Sequence, residues 1–244
     1  MENTSFIALS KQSAIRRTMS VVANNLANMN TTGFKGEKIM FVEHLVRSKG
    51  GEKIGGERMA YVRDIATVRD KSEGPLQKTG NPLDLAINGD GFFTIDTPDG
   101  ERYTRNGNFQ MNEEGQLVTR LGHPVLSDNG QPFFFTAEDG QISIARDGTV
   151  STDTGQIGRI GVVSFENTYD MQQVAGGLLN TEQQPAPVEQ TNVVQGMLEG
   201  SNVQPIIEMT RMIEANRSYN HVKNFVQRED ERIKKMVQEF AKPI

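Results

Sequence analysis

His44, His123 and His221 are the residues best suited to hold a metal or shuttle a proton, and their spacing supports neither role. They fall in three different stretches of chain, with no H-x-x-x-H or H-E-x-x-H pair to share one helix face. No Cys is present, which excludes a disulfide framework, a thiolate zinc site, an iron–sulfur cluster and a thiol nucleophile. Asn88-Gly89-Asp90-Gly91 has the look of part of a calcium loop. Ala86 stands where its first ligand should be, however, and Thr97 where its closing Glu should be, so the segment reads as a turn. The same glycines form neither a G-x-x-x-x-G-K-[ST] nor a G-x-G-x-x-G phosphate cradle. Glu113/Glu114 and Glu138/Asp139 are adjacent carboxylates at expected turn tips, whereas glycoside hydrolysis needs two carboxylates facing across a cleft. No G-x-S-x-G marks a nucleophile elbow. These residues describe a chain with no catalytic, metal or cofactor site and no small-molecule substrate.

The elements around them explain more. The chain has 244 residues, enough for one large domain or two small ones without metal or disulfide staples. Hydrophobic residues are 36% of the total, and the 24 Gly bring the apolar share to about 46%, the range of a globular chain. Aromatics are 7% and Trp is absent, so the core is modest. The net charge is −5 and no Lys/Arg run offers a nucleic-acid face. No stretch of about 18 apolar residues could span a bilayer. Met1 to Leu26 lacks the pattern of a cleaved signal peptide, so any export must proceed without one.

Three textures follow one another. The first 30 residues read as helix, with Ile15, Met19, Val22, Leu26 and Met29 at alternating steps of four and three. Gly33 supplies its left-handed end. Leu83 to Phe165 reads as short strands separated by turn pairs: Asp99-Gly100, Glu114-Gly115, Asn129-Gly130, Asp139-Gly140 and Asp147-Gly148. The expected strands include Phe92–Ile95, Leu117–Thr119, Phe133–Phe135, Ile142–Ile144 and Ile160–Phe165. Val203 to Phe240 reads as one long helix capped by Ser201 or Asn202, with Pro205 in its first turn. Met212, Ala215, Tyr219, Val222, Val226, Ile233, Met236 and Phe240 keep the same three–four alternation, broken only by Glu229. Two joints, Arg47–Gly56 and Leu179–Val188, flank the β-rich part, the first read as flexible and the second as polar and extended. The expected class is therefore α+β, with an antiparallel β domain inserted between terminal helices. The helices either close on each other as a hairpin or complete themselves against other subunits.

Four long motifs carry a resemblance to a known family. They are Val22–Lys35 (VANNLANMNTTGFK), Gly80–Phe93 (GNPLDLAINGDGFF), Tyr103–Phe109 (YTRNGNF) with Gly115-Gln116-Leu117-Val118, and Leu198–Val203 (LEGSNV) with Glu208–Ile213 and Arg217-Ser218-Tyr219. In this order and separation they resemble the axial proteins of the bacterial flagellum, the rod and hook subunits. The length leaves no room for the outer domain of hook subunits. The opening residues and Lys35–Val46 look more like proximal-rod than distal-rod subunits, the alternative within the family. A periplasmic β-rich binding module is the rival outside it.

The resemblance implies an architecture and a role. Residues 1–34 with 201–244 would form a discontinuous, coiled-coil-like axial core, 35–80 with 180–200 a connecting region, and 81–179 a β-rich outer domain. The chain would be a structural subunit of the basal-body rod, lying in the periplasm and transmitting torque to the hook. Its partners would be copies of itself, other rod subunits and the flagellar type III export apparatus. The subunit interface would run along Ile15, Met19, Val22, Leu26 and Met29 and along Met212, Tyr219, Val222, Val226, Ile233, Met236 and Phe240. Asn24, Asn25 and Asn28 either fix register across subunits or cap the end of the first helix.

Overall fold

The computed structural model describes residues 2–47, 58–188 and 191–240. The fold is α+β: a helix near each end of the chain and antiparallel strands between them. Most of the Arg47–Gly56 joint lies outside the described residues. By contact density the chain divides into two compact units. One comprises Met1–Ala27, Glu37–Val68 and Gln204–Ile244, and the other Asn28–Gly36 and Arg69–Val203.

The first unit holds the helix α1, Glu2–Ala27, the helix α2, Pro205–Phe240, and the paired strands Glu37–Arg47 and Arg58–Arg69. α1 has 26 residues and α2 has 36. They run antiparallel: Arg16 Nη2 donates to the Tyr219 hydroxyl at 2.8 Å, and Asn25 Nδ2 donates to Glu208 Oε2 at 3.3 Å. The guanidinium of Arg16 also lies 5.4 Å from the Tyr219 ring centroid, in cation–π range. Their shared seam is narrow. Its buried apolar members are Ala8, Val22, Ala215 and Val222, which fit close helix approach because they are small.

α2 begins at Pro205, so Gln204 and not Ser201 or Asn202 stands at its N-cap. Ser201 instead accepts the Val203 N–H at 3.2 Å, and the Asn202 amide bonds Gly36, Asp70 and Ser72. Both side chains are committed to the turn before the helix.

The second unit is built of short antiparallel strands. Its largest sheet has six, in the spatial order Gln172–Gln173, Leu179–Asn180, Gly100–Thr104, Phe92–Thr97, Val162–Ser164 and Ala186–Pro187. Of the expected strands, Leu117–Thr119 forms as read, pairing with Phe109–Met111 around Gly115. Phe133–Phe135 does not. Pro132 and Phe134 make isolated bridges to Leu126 and Gln116, and Phe133 and Phe135 turn into the core while Phe134 points out. Proline in this stretch removes a ladder donor, which keeps the run irregular. The core gathers Leu85, Ile87, Phe93, Ile95, Phe109, Leu117, Val125, Val150 and Ile160, with Phe93 and Phe109 edge to face at 5.1 Å.

Candidate functional site

In the first unit, all the half-buried or buried positions of α2 from Glu208 onward fall on the expected three–four line: Glu208, Met212, Ala215, Tyr219, Val222, Val226, Glu229 and Met236. On α1, Val22 is buried at 4% exposure and Ile15, Met19 and Leu26 are half-buried. The middle of the seam is thus covered within the chain. Ile233 and Phe240, at the far end, are exposed, Phe240 by 87%. A second set of large apolar side chains also faces outward: Phe6 and Leu9 on α1, and Ile206, Met209, Ile213 and Val237 on α2.

The three asparagines separate. Asn25 is buried and its amide works inside the chain. Its Nδ2 donates to the Glu37 carbonyl at 2.8 Å and its Oδ1 accepts the Glu37 N–H at 2.8 Å, so it pairs with that backbone as a strand would. Glu208, also buried, accepts from Asn25 and from Arg211 Nη1 at 2.6 Å. Asn24 is exposed on α1. Asn28 lies beyond the helix, where its carbonyl accepts the Thr31 N–H at 3.1 Å, and Met29 is half-buried in the same turn.

The second unit contains a cluster that residue-type reasoning passed over. Glu199, 1% exposed, receives Arg105 Nε on Oε2 at 2.6 Å and Lys35 Nζ on Oε1 at 2.6 Å. The Gly74 N–H reaches the same Oε1 at 2.9 Å. Arg105 directs its other N–H groups to the carbonyls of Gly91 at 2.6 Å, Ile87 at 3.0 Å and Gly89 at 2.5 Å. The Glu199 carbonyl accepts the Gly33 N–H at 2.7 Å. A buried charge pair repays its desolvation only when its remaining donors and acceptors are met, and here they are. Burial pushes the Glu199 carboxyl up. The Arg105 charge and hydrogen bond, with Lys35 and the Gly74 N–H, overcome that and hold it below the usual carboxylate range. Its contribution to stability is therefore complete above the ordinary glutamate value and is lost as pH falls through the depressed one.

Each of the four motifs supplies a part of this cluster. Gly33 and Lys35 end the first, the carbonyls of Ile87, Gly89 and Gly91 belong to the second, Arg105 to the third and Glu199 to the fourth. Glycine is required at the crossing. A Cβ on Gly33, at φ +69°, would sit 2.6 Å from the Arg105 carbonyl carbon, and one on Gly74 would sit 1.9 Å from the Gly200 oxygen. The signal available in sequence was a lone acid between Leu198 and Gly200 and a lone Arg in an Asn/Gly stretch.

The arrangement binds chain to chain and offers no open acid, base or nucleophile. Among the described residues no group of three or more His, Cys, Asp or Glu could hold a metal, and no helix is long and apolar enough to cross a membrane.

Comparisons with known proteins agree in kind. Residues 7–35 match a family model described as flagella basal body rod protein. Residues 86–163 match the flagellar hook protein FlgE/F/G D1 domain, and 194–239 the flagellar basal body rod FlgEFG protein C-terminal model. The flagellar basal-body rod protein FlgF of Caulobacter vibrioides is 39% identical over 245 residues, covering 99% of each chain. FlgF of Mesorhizobium japonicum is 34% identical over 224 residues, covering 91% of this chain and 90% of that one. FlgG of Bacillus subtilis is 34% identical over 244 residues, covering 90% and 92%.

Proposed function

Because the chain belongs to the flagellar basal-body rod protein family, we propose that it is a proximal-rod subunit that polymerises through its two terminal helices. The family is structural, and this chain is a structural subunit of the basal body, not an enzyme. The 39% identity to FlgF of Caulobacter vibrioides over 99% of each chain, against 34% to FlgG of Bacillus subtilis, supports the proximal position. In this reading residues 1–34 and 201–244 form the axial core, 35–80 and 180–200 connect, and 81–179 face outward. The partners are further copies, other rod subunits and the export apparatus that delivers the chain to the periplasm. The assembled helices carry motor torque to the hook.

One observation carries the polymerisation reading: the apolar seam of α2 outlasts its cover. Asn25 meets Glu208 and Arg16 meets Tyr219, so nine residues of α1 run against eleven of α2. Beyond the half-buried Met236, Val237 is 61% and Phe240 87% exposed, and in this reading their cover comes from a neighbouring subunit. A heterologous contact whose rotation does not close on itself builds a filament, the geometry this reading requires. The half-buried seam residues Ile15, Met19, Leu26, Met212, Tyr219, Val226 and Met236 would complete their burial in the same contact.

The test replaces Val237 and Phe240 together by Lys. Purified basal bodies should lack the variant subunit and the cells should not swim, while the purified monomer stays folded. Normal incorporation of the double variant would remove the helix end from the interface.

A further inference from the structure

We infer that the Glu199 cluster is a separable latch: a polar junction that opens as one cooperative piece while the β core behind it stays folded. The inference is independent of the rod assignment and concerns the monomer.

Three chain crossings meet at the junction. Residues 33–36 arrive from α1, residues 70–76 pass through, and residues 199–202 lead to α2. Their cross-links are polar. Lys35 Nζ bridges Glu199 and the Ser72 carbonyl, the latter at 2.8 Å. Asn202 accepts the Gly36 N–H at 2.7 Å and donates to the Ser72 carbonyl at 2.9 Å. The Gly200 N–H donates to the Pro75 carbonyl at 2.9 Å. The apolar core, by contrast, draws its buried side chains from Leu85 to Val193 and none from these crossings. Phe34 is the buried large apolar side chain the crossings contribute.

A segment held by charge and hydrogen bonds, with little apolar burial, opens at a lower free energy than the core it rests on. Glu199 is the member common to all three crossings, through Lys35, the Gly74 N–H and the Gly33 N–H, and Arg105 is its tie to the core carbonyls. Loss of its charge leaves Lys35 and Arg105 facing each other without a counter-ion, so the crossings release together.

Hydrogen exchange on the full chain tests this. In Glu199→Gln, amides of Gly33, Gly74 and Gly200 should lose protection together, by about tenfold or more, while Phe93–Thr97 and Leu117–Thr119 keep theirs within about twofold. Lys35→Met, which leaves the Arg105 pair in place, should loosen the same three segments by a smaller common factor. The inference is overturned if Glu199→Gln leaves all three segments protected. It is equally overturned if the core strands lose protection in step with them, or if Lys35→Met loosens residues 33–36 alone. If Glu199→Gln does not fold, the Lys35→Met pattern decides the matter by the same criteria.

Discussion

The two units of this chain bury different things. The helical unit hides small apolar residues, Ala8, Val22, Ala215 and Val222, and leaves Phe6, Leu9, Ile206, Ile213, Val237 and Phe240 in solvent. The β unit hides its large ones, Phe93, Leu85, Ile95, Phe109 and Phe133, although Leu76, Met111, Leu121, Phe134, Ile157, Tyr169 and Val174 are exposed. A buried large side chain contributes about 1.5–3 kcal/mol and a buried Ala very little. On the proposed assembly the β unit is self-sufficient, whereas the helix pair is a half-finished interior that neighbouring subunits complete. The buried polar groups sharpen the contrast. Asn25 and Glu208 set how α1 meets α2, and Glu199 and Arg105 set how the β unit closes on its own chain ends.

The largest effect should come from breaking the self-sufficient side. Phe93→Ala removes a ring that is fully buried and packed edge to face on Phe109. We expect about 3–5 kcal/mol of lost stability, a large fraction of the roughly 5–15 kcal/mol that holds a domain folded. Denaturant titration followed by tyrosine fluorescence and circular dichroism checks it. A loss under about 1 kcal/mol would mean that the core repacks and the contrast is overstated.

A smaller and more local loss follows from Val22→Asp. Val22 lies in the seam covered within the chain, so the carboxylate would separate α1 from α2 before any subunit contact is involved. Limited proteolysis with mass spectrometry of the fragments should show rapid trimming of about residues 1–35 and 200–244 and a resistant β fragment. The helical signal should fall while the β unit's unfolding free energy moves by no more than about 0.5 kcal/mol, as expected if the two units unfold independently. If both units became protease-sensitive, the helices and β core would be one cooperative body.

How much of this was legible follows from what each signal encodes. The three–four spacing of α2 foretold its covered side down to the interruption at Glu229, which is half-buried and paired with Arg232 at 2.6 Å. Periodicity names a face but not its cover, which is why the seam was equally compatible with a hairpin and with a subunit contact. The Asp-Gly and Asn-Gly pairs located turns because φ > 0 is a local demand. Three aromatics at Phe133–Phe135 look like a strand whatever their pairing, and here the run makes only an isolated bridge. Glu199 was hidden for a different reason. Its partners Lys35 and Arg105 lie 164 and 94 residues away, and no local pattern announces a long-range charge pair. The junction became visible only when the fold brought the four motifs together.

The smallest expected effect bears most directly on the half-finished interior. Val237 and Phe240 lie in the last turn of α2, mostly exposed and carrying little burial that the monomer would lose. No basic residue stands in that turn, so lysines there also meet the carbonyl end of the helix dipole, worth about 0.3–1 kcal/mol in their favour. The double Lys variant should therefore match or slightly exceed the parent in thermal stability, within about 0.5 kcal/mol, as unpacked surface changes do. A clear loss of monomer stability would show that the turn is already packed within one chain. Stability unchanged with incorporation abolished would separate the two roles of one helix: a stretch up to the half-buried Met236 that packs within the chain, and a last turn whose cover is another molecule.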